Sequence, residues 1–272
     1  MGTLYLVATP IGNLEDMSPR AIRTLRESRL IAAEDTRHTG KLLKHFDIQT
    51  PLTSYFEHNK LRKVETVLNV LASGDVSLVS DAGMPALNDP GYELVRAALE
   101  AGHQVIPIPG PSAPIAALVV SGLPTDAFLY LGYLPQKQND RRKYLQTIAE
   151  SPYTLIFLES PYRIEESLED MLAILGDRQI TVAREMTKMF EEYWRGRLSA
   201  ALEYFRSKPA RGEFVLVVEG MRHKPKAVWE EDRLMKAIKD GLKSGEVPSQ
   251  LAARLANESG WKRREVYKRI AS

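Results

Sequence analysis

Four loops carry most of the chemistry available to this chain. The first is Thr9-Pro10-Ile11-Gly12-Asn13 and the second Glu34-Asp35-Thr36-Arg37. The third holds Ser80-Asp81-Ala82-Gly83-Met84-Pro85 and then Asn88-Asp89-Pro90-Gly91, and the fourth is Pro109-Gly110-Pro111-Ser112-Ala113. Each follows a β-forming run, and open α/β sheets bind ligands beyond the carboxyl ends of their strands. Prolines and glycines there hold backbone carbonyls and N–H groups in set directions. Such an edge can hydrogen-bond an adenine or an amino acid without a phosphate cradle. Taken singly, a Pro-Gly pair is an ordinary turn; four loops on one edge argue for a site.

Several chemistries are excluded. The chain has no cysteine, so disulfides, thiolate zinc sites, iron–sulfur clusters and a cysteine nucleophile are ruled out. No G-x-G, no G-x-x-x-x-G-K-[ST] and no G-x-S-x-G occurs, which argues against dinucleotide folds, P-loop hydrolysis and α/β-hydrolases. The five histidines lack metalloprotease spacing, and no metal site is expected.

The elements that must position these loops can be read from periodicity. The 272 residues suffice for about two domains. Strands are predicted at Leu4–Ala8, Leu30–Ala33, Pro51–Ser54, Val76–Val79 and Val105–Ile108. Helical patterns separate them: one capped by Ser18-Pro19, a short one around Leu42, one ending at Gly74 and one stopped by Gly102. Strands alternating with helices imply a parallel sheet covered on both faces. The pattern restarts near Thr125 with strands from Phe128, 153–158, 179–184, 191–195 and 214–218, and helices over 140–150, 163–175 and 198–206. Two successive strands without a helix between them predict a hairpin in a mixed sheet. The expected architecture is α/β: an N-terminal α/β domain over 1–112, a second over 113–220 and a basic helical extension over 221–272.

That extension carries 13 Lys/Arg against 7 Asp/Glu, whereas residues 1–220 carry 24 against 28. A basic tail on an acidic body suits an anionic partner, nucleic acid first, or else is a solvated helical surface. Helices are expected over 233–242, from a Ser249 cap, and over 262–270, resembling helix-turn-helix architecture. Lys262, Arg263, Arg264, Lys268 and Arg269 alternate with Trp261 and Tyr267. Basic and aromatic residues together suit structured RNA. The competing reading is that Trp261 and Tyr267 pack the extension onto the body, favoured for Trp261. No apolar run is long enough to span a membrane, and no secretory signal is evident.

The four loops, with Ala33-Glu34-Asp35-Thr36-Arg37 taken whole, resemble the tetrapyrrole methylase superfamily. Gly132-Tyr133-Leu134-Pro135, Leu158-Glu159-Ser160-Pro161-Tyr162-Arg163-Ile164, Ala183-Arg184-Glu185-Met186-Thr187-Lys188 and Arg211-Gly212-Glu213-Phe214-Val215 match the ribosomal RNA small subunit methyltransferase I branch within it. Ser80-Asp81-Ala82 stands where the superfamily usually has Gly-Asp-Pro, a departure shared with that branch. The resemblance implies two α/β domains with S-adenosyl-L-methionine in the cleft between them. It implies a cytoplasmic homodimer that methylates the 2′-hydroxyl of a cytidine in 16S ribosomal RNA near the decoding centre, within the small ribosomal subunit. By motif position, Pro10, Asp81, Gly83, Met84, Ser112 and Ala113 would line the cofactor from one side, and Leu158, Ala183 and Phe214 from the other.

Methyl transfer from a sulfonium is an in-line displacement that needs no metal. Alignment and water exclusion supply most of the acceleration. A ribose hydroxyl also needs a base or a cation beside its developing charge. Candidate bases are Asp35, Glu159 and Glu185; candidate cations are Arg37, Arg163, Arg184 and Lys188. Asp35, Arg37, Glu185 and Lys188 are taken as the catalytic group, although Asp35 and Arg37 also read as a loop-closing salt bridge. Strand alternation puts Arg184 and Glu185 on opposite faces. Lys137, Arg141 and Arg142 are read either as grips on RNA phosphates or as a solvated helix start. Two alternatives stay open: a tetrapyrrole methyltransferase, and a non-catalytic ribosome-assembly factor.

Overall fold

Alternation makes β1 (Thr3–Val7) a strand with two buried faces: Leu4 and Leu6 pack to one side, Tyr5 and Val7 to the other. It lies inside a five-stranded parallel sheet with β2 (Leu30–Ala33), β3 (Leu52–Ser54), β4 (Val76–Val79) and β5 (Gln104–Ile108). The strand order is β3-β2-β4-β1-β5, so connections cross over and the sheet needs helices on both faces. One face is covered by α1 (Pro19–Glu27) and α2 (Thr36–His45), the other by α3 (Lys60–Leu71) and α4 (Tyr92–Glu100). The chain is described here by a computed structural model covering residues 2–57, 60–208, 210–221 and 229–271, with 60–62 described by their helical backbone alone.

The Ser18 side chain caps α1 by accepting from the Ala21 N–H, with Pro19 at the first helical position, as expected. The cap of α2 is Asp35, whose carboxylate accepts from the Arg37 N–H.

α5 (Ala113–Val120) was not foreseen, because its eight residues show no polar face to set a helical period. Its Ala117 and Leu118 pack on a second sheet with Ile156, Val215 and Val217, and Ile11 of the first β-loop joins that cluster. The second sheet runs β6-β7-β10-β8-β9. Its strands are β6 (Phe128–Tyr133), β7 (Thr154–Glu159), β8 (Gln179–Arg184), β9 (Glu192–Arg197) and β10 (Phe214–Val218). β6 and β7 are parallel and the rest antiparallel, with the predicted hairpin between β8 and β9. α6 (Gln138–Ile148), α7 (Ile164–Leu175) and α8 (Leu198–Ser207) cover its far face around Phe157, Leu168, Leu202 and Phe214. Both sheets belong to one compact unit ending at Gly220.

Among the described residues, the unit from Met221 onward has three helices: α9 (Glu231–Lys243), α10 (Pro248–Ser259) and α11 (Arg263–Ala271). Its own core comprises Leu234, Ile238, Leu251, Ala252, Leu255 and Val266. Ser249 is not the α10 cap; Val247 holds that position and Pro248 opens the helix. Among the described residues, no helix is long and apolar enough to cross a membrane.

Candidate active site

The loops after β1 and β4 are tied together at the sheet edge. Thr9 donates its N–H to the Gly83 carbonyl at 2.9 Å and accepts the Gly83 N–H at 3.0 Å. The Thr9 hydroxyl also donates to the Ser80 carbonyl at 3.1 Å. Gly83 has φ +81°, the left-handed region that glycine enters without steric cost. The loop after β2 joins through the Asp35 N–H, which donates to Asp81 Oδ1 at 3.1 Å. Asp81 is thus a connector between two strand ends as well as a wall residue.

These loops and the ends of β6, β7 and β10 enclose a hollow of about 270 Å³. Asp81, Gly83, Met84, Ser112, Ala113, Leu158 and Phe214 all line it. Pro10 lines an adjoining hollow instead. Ala183 is fully buried beside Val215, one strand further along the sheet, and is not among the residues that line the hollow. The apolar side includes Ile11, Met84, Leu87, Leu158 and Phe214.

The polar side is acidic: Glu34, Asp81, Asp89, Glu159 and Glu213. Glu159 is paired with Arg163 at 2.9 Å and Glu213 with Lys188 at 3.2 Å. Glu34 and Asp89 form no ion pair among the described residues. Burial pushes Glu34 up from its ordinary value, helped by the charges of Asp89 and Asp81. Burial also raises Asp89, partly countered by a hydrogen bond with Ser80. Burial and the Asp89 charge push the Tyr130 phenol up to about 12. Uncompensated carboxylates beside an apolar wall fit a ligand with a flat apolar part and a positive centre, and repel a phosphate. S-adenosylmethionine meets that description.

A second hollow of about 560 Å³ adjoins the first and shares Ile11, Asp81, Ala82 and Glu213 with it. Its rim includes Thr9, Pro10, Gly12, His38, Lys41 and Lys188. Lys188 Nζ donates to Glu185 Oε1 at 3.0 Å, and Glu185 Oε1 also accepts the Glu213 N–H at 3.1 Å. Burial pushes the Lys188 ammonium down, but its bonds and charges with Glu185 and Glu213 outweigh it and leave the group above its usual value. Burial likewise opposes the Glu185 carboxylate, and the Lys188 and Glu213 hydrogen bonds bring it below its usual value. Both groups are charged at neutral pH.

The expected strand alternation of Arg184 and Glu185 does not hold. β8 ends at Arg184, and Glu185 turns into the left-handed region at φ 50°. Thr187 follows at φ 65°, where a β-branched residue is strained, and its buried hydroxyl oxygen has no partner among the described residues. The loop is seated against Gly12: a Cβ there would stand 2.5 Å from Lys188 Cγ and 2.8 Å from Thr187 Oγ1. Close approach of the two loops therefore requires glycine at position 12.

Asp35 and Arg37 line neither hollow. They form a two-pronged pair, with Arg37 Nε and Nη2 donating to Asp35 Oδ1 and Oδ2 at 3.1 and 2.7 Å. The Arg37 hydrogen bond holds the Asp35 carboxyl well below the carboxylate range, which makes it a weak base. Arg184 pairs with Glu192 at 3.1 Å and supports the hairpin. Arg141 is fully buried and donates to Asp170 at 2.6 Å, so it is not a phosphate grip; Arg142 reaches the same carboxylate at 2.6 Å. No group of three metal-ligating side chains occurs among the described residues.

Glu34, Asp89, Tyr130 and Glu213 were not singled out in advance as wall residues. The first two lay inside quoted loops, so their signal was place without direction. Glu213 precedes a strand, and only the pairing of β10 with β7 and β8 brings it to the crevice.

The model of the family Tetrapyrrole (Corrin/Porphyrin) Methylases matches residues 3–202. The Ribosomal RNA small subunit methyltransferase I of Halalkalibacterium halodurans is 49% identical, over 98% of this chain and 93% of its own. That of a Synechocystis species is 48% identical, over 98% and 96%. The solved uroporphyrin-III C-methyltransferase of Thermus thermophilus, complexed with S-adenyl homocysteine, is similar in fold with a TM-score of 0.55 at 20% identity, over 80% of this chain and 97% of its own. The chain therefore belongs to the tetrapyrrole methylase family, in the branch of ribosomal RNA small subunit methyltransferase I, and its cofactor is S-adenosylmethionine.

Proposed function

We propose that this chain transfers a methyl group from S-adenosylmethionine to the 2′-hydroxyl of a cytidine in 16S ribosomal RNA, near the decoding centre of the small ribosomal subunit. The observation that carries the reading is the pair of adjoining hollows, one acidic and apolar, the other rimmed by Lys188, Lys41 and His38. Identity of 48–49% over nearly the whole chain to relatives named for ribosomal RNA supports the substrate class. When bound, the cofactor supplies an electrophilic methyl on a sulfonium sulfur, open to in-line attack.

The chain's own residues then have separable tasks. Asp81, Gly83, Met84, Ser112, Ala113, Leu158 and Phe214 hold the cofactor, Glu34 and Asp89 face its positive charge, and Ala183 packs beside Val215 of the wall. Pro10 shapes the passage to the second hollow. Lys188, held by Glu185 and Glu213, stabilises charge developing on the ribose oxygen or holds the neighbouring phosphate. Asp35 and Arg37 act as a strut: Asp35 caps α2, which carries His38 and Lys41 to the rim.

The reading includes a cytoplasmic homodimer. Ile115 and Val119 on the outer side of α5 are 44% and 66% exposed, an apolar surface suited to a second copy. The test is methyl incorporation from labelled S-adenosylmethionine into small ribosomal subunits lacking the modification. Label at a cytidine ribose is expected; label in uroporphyrinogen instead contradicts the reading.

A further inference from the structure

The three helices from Glu231 to Ala271 lie outside everything assigned above. The family model ends at residue 202, and the Thermus structure covers 80% of this chain while using 97% of its own. The ribosomal RNA methyltransferase relatives align over 98% of the chain, which takes these helices in. The unit thus belongs to the branch rather than to the shared fold.

α10 and α11 are joined by three residues, and the first, Gly260, is left-handed at φ 72°. That is the turn of a helix-turn-helix. Val266 and Ile270, four residues apart, hold α11 on the core of Leu234, Leu251 and Leu255. Spacing along α11 then sends Arg264, Tyr267 and Lys268 outward together. All three are exposed, Tyr267 at 48%, and Lys262 is exposed just before the helix.

The neighbouring basic residues are engaged within the unit. Arg269 stacks over Trp261 at 4.4 Å and pairs with Glu231 at 2.8 Å, and Arg254 pairs with Glu246 at 2.7 Å and Glu258 at 3.2 Å. Trp261 donates its indole N–H to the Trp229 carbonyl at 2.8 Å, so it is a packing residue. Lys262, Arg264 and Lys268 form no ion pair among the described residues. Three uncommitted cations around an exposed tyrosine make a small surface that complements a phosphate backbone and offers one stacking face.

We propose that the outer face of α11, with Lys262, Arg264, Tyr267 and Lys268, is a docking surface for structured RNA. It anchors the substrate through its backbone, separately from the crevice that performs methyl transfer. The inference rests on the RNA reading above.

The test uses the full chain and a transcript of small-subunit ribosomal RNA, with a duplex DNA of equal length alongside. Binding is measured across a salt series for wild type, Arg264→Glu/Lys268→Glu and Tyr267→Ala, with S-adenosylmethionine affinity by calorimetry as the folding control. The double variant is expected to bind the transcript about tenfold or more weakly, with a salt slope shallower by about 2. Tyr267→Ala is expected to weaken it about fivefold at every salt concentration. Cofactor affinity stays unchanged in both. Equal transcript affinity in wild type and double variant overturns the docking surface and leaves the methyltransferase reading standing. Equal wild-type affinity for DNA and transcript, lost equally in the variant, overturns the assignment to RNA. A wild-type chain that does not bind the transcript overturns the docking surface, whereas the methyltransferase reading stands or falls on label incorporation into small ribosomal subunits.

Discussion

Thr9 and Gly83 exchange two backbone hydrogen bonds, at 2.9 and 3.0 Å, and so clamp the loop after β1 to the loop after β4. The two strands are already neighbours in the sheet, so the clamp extends their alignment past the sheet edge. One consequence is a fixed floor for the crevice: Ile11 and Asp81, flanking the clamp, face both hollows. The site is thereby built before any ligand arrives, which limits the ordering cost of binding.

Asp81→Ala removes a wall carboxylate and the acceptor of the Asp35 N–H. A charged hydrogen-bond partner contributes about 1.5–3 kcal/mol, so S-adenosylmethionine affinity is expected to fall about 10- to 100-fold by calorimetry. Unchanged affinity would remove this loop from the cofactor site.

Lys188→Met keeps the side-chain length and discards the ammonium. Single-turnover methyl transfer is expected to slow by about 100-fold, with cofactor affinity unaltered. Gly12→Ala pushes a methyl into Lys188 Cγ and should give the same split in weaker form. Cofactor binding lost in parallel with turnover in both variants would contradict a separate acceptor site.

Asp89 has its carboxyl raised mainly by burial. A carboxyl raised in the folded state favours the protonated form there, so this group's contribution to folding stability is fully present below the ordinary carboxylate value. It is lost as pH climbs from the ordinary carboxylate value through the raised one. Asp89→Asn removes that penalty. The ligand-free variant is expected to melt higher than wild type at pH 7, with the gap closing in acid. Its affinity for S-adenosylmethionine should fall while that for the uncharged-sulfur product changes less. A lower melting temperature at pH 7, or equal losses for both ligands, would contradict the charge assignment.

Asp170 is fully buried and accepts from Arg141 and Arg142. Asp170→Asn leaves the buried Arg141 guanidinium short of a counter-charge and is expected to cost about 3–5 kcal/mol in urea unfolding. A cost under about 1 kcal/mol would place the pair among surface bridges.

Much of this was legible in the sequence. Short continuous apolar runs such as Leu4 to Val7 and Phe214 to Val218 marked the strands, the rule that ligands sit at strand ends picked out the loops, and the family resemblance named Asp81, Gly83, Met84 and Ser112 within them. α5 was not legible, since Ala113 to Val120 has no polar side. The roles of Asp35 and Arg37 were not legible either, because type and spacing are the same for a base beside a cation and for a closed cap. Glu185 was misplaced by strand alternation, which stops where φ turns positive. Asp89 and Glu213 needed tertiary direction that spacing along the chain does not contain.

The central claim is that the crevice binds a sulfonium cofactor. Titration of the full chain with S-adenosylmethionine in a calorimeter, at neutral pH and without RNA, tests it most directly. One equivalent per chain, weakened by Asp81→Ala and unaffected by Lys188→Met, is the result expected. No heat at millimolar cofactor from a folded protein would contradict the account.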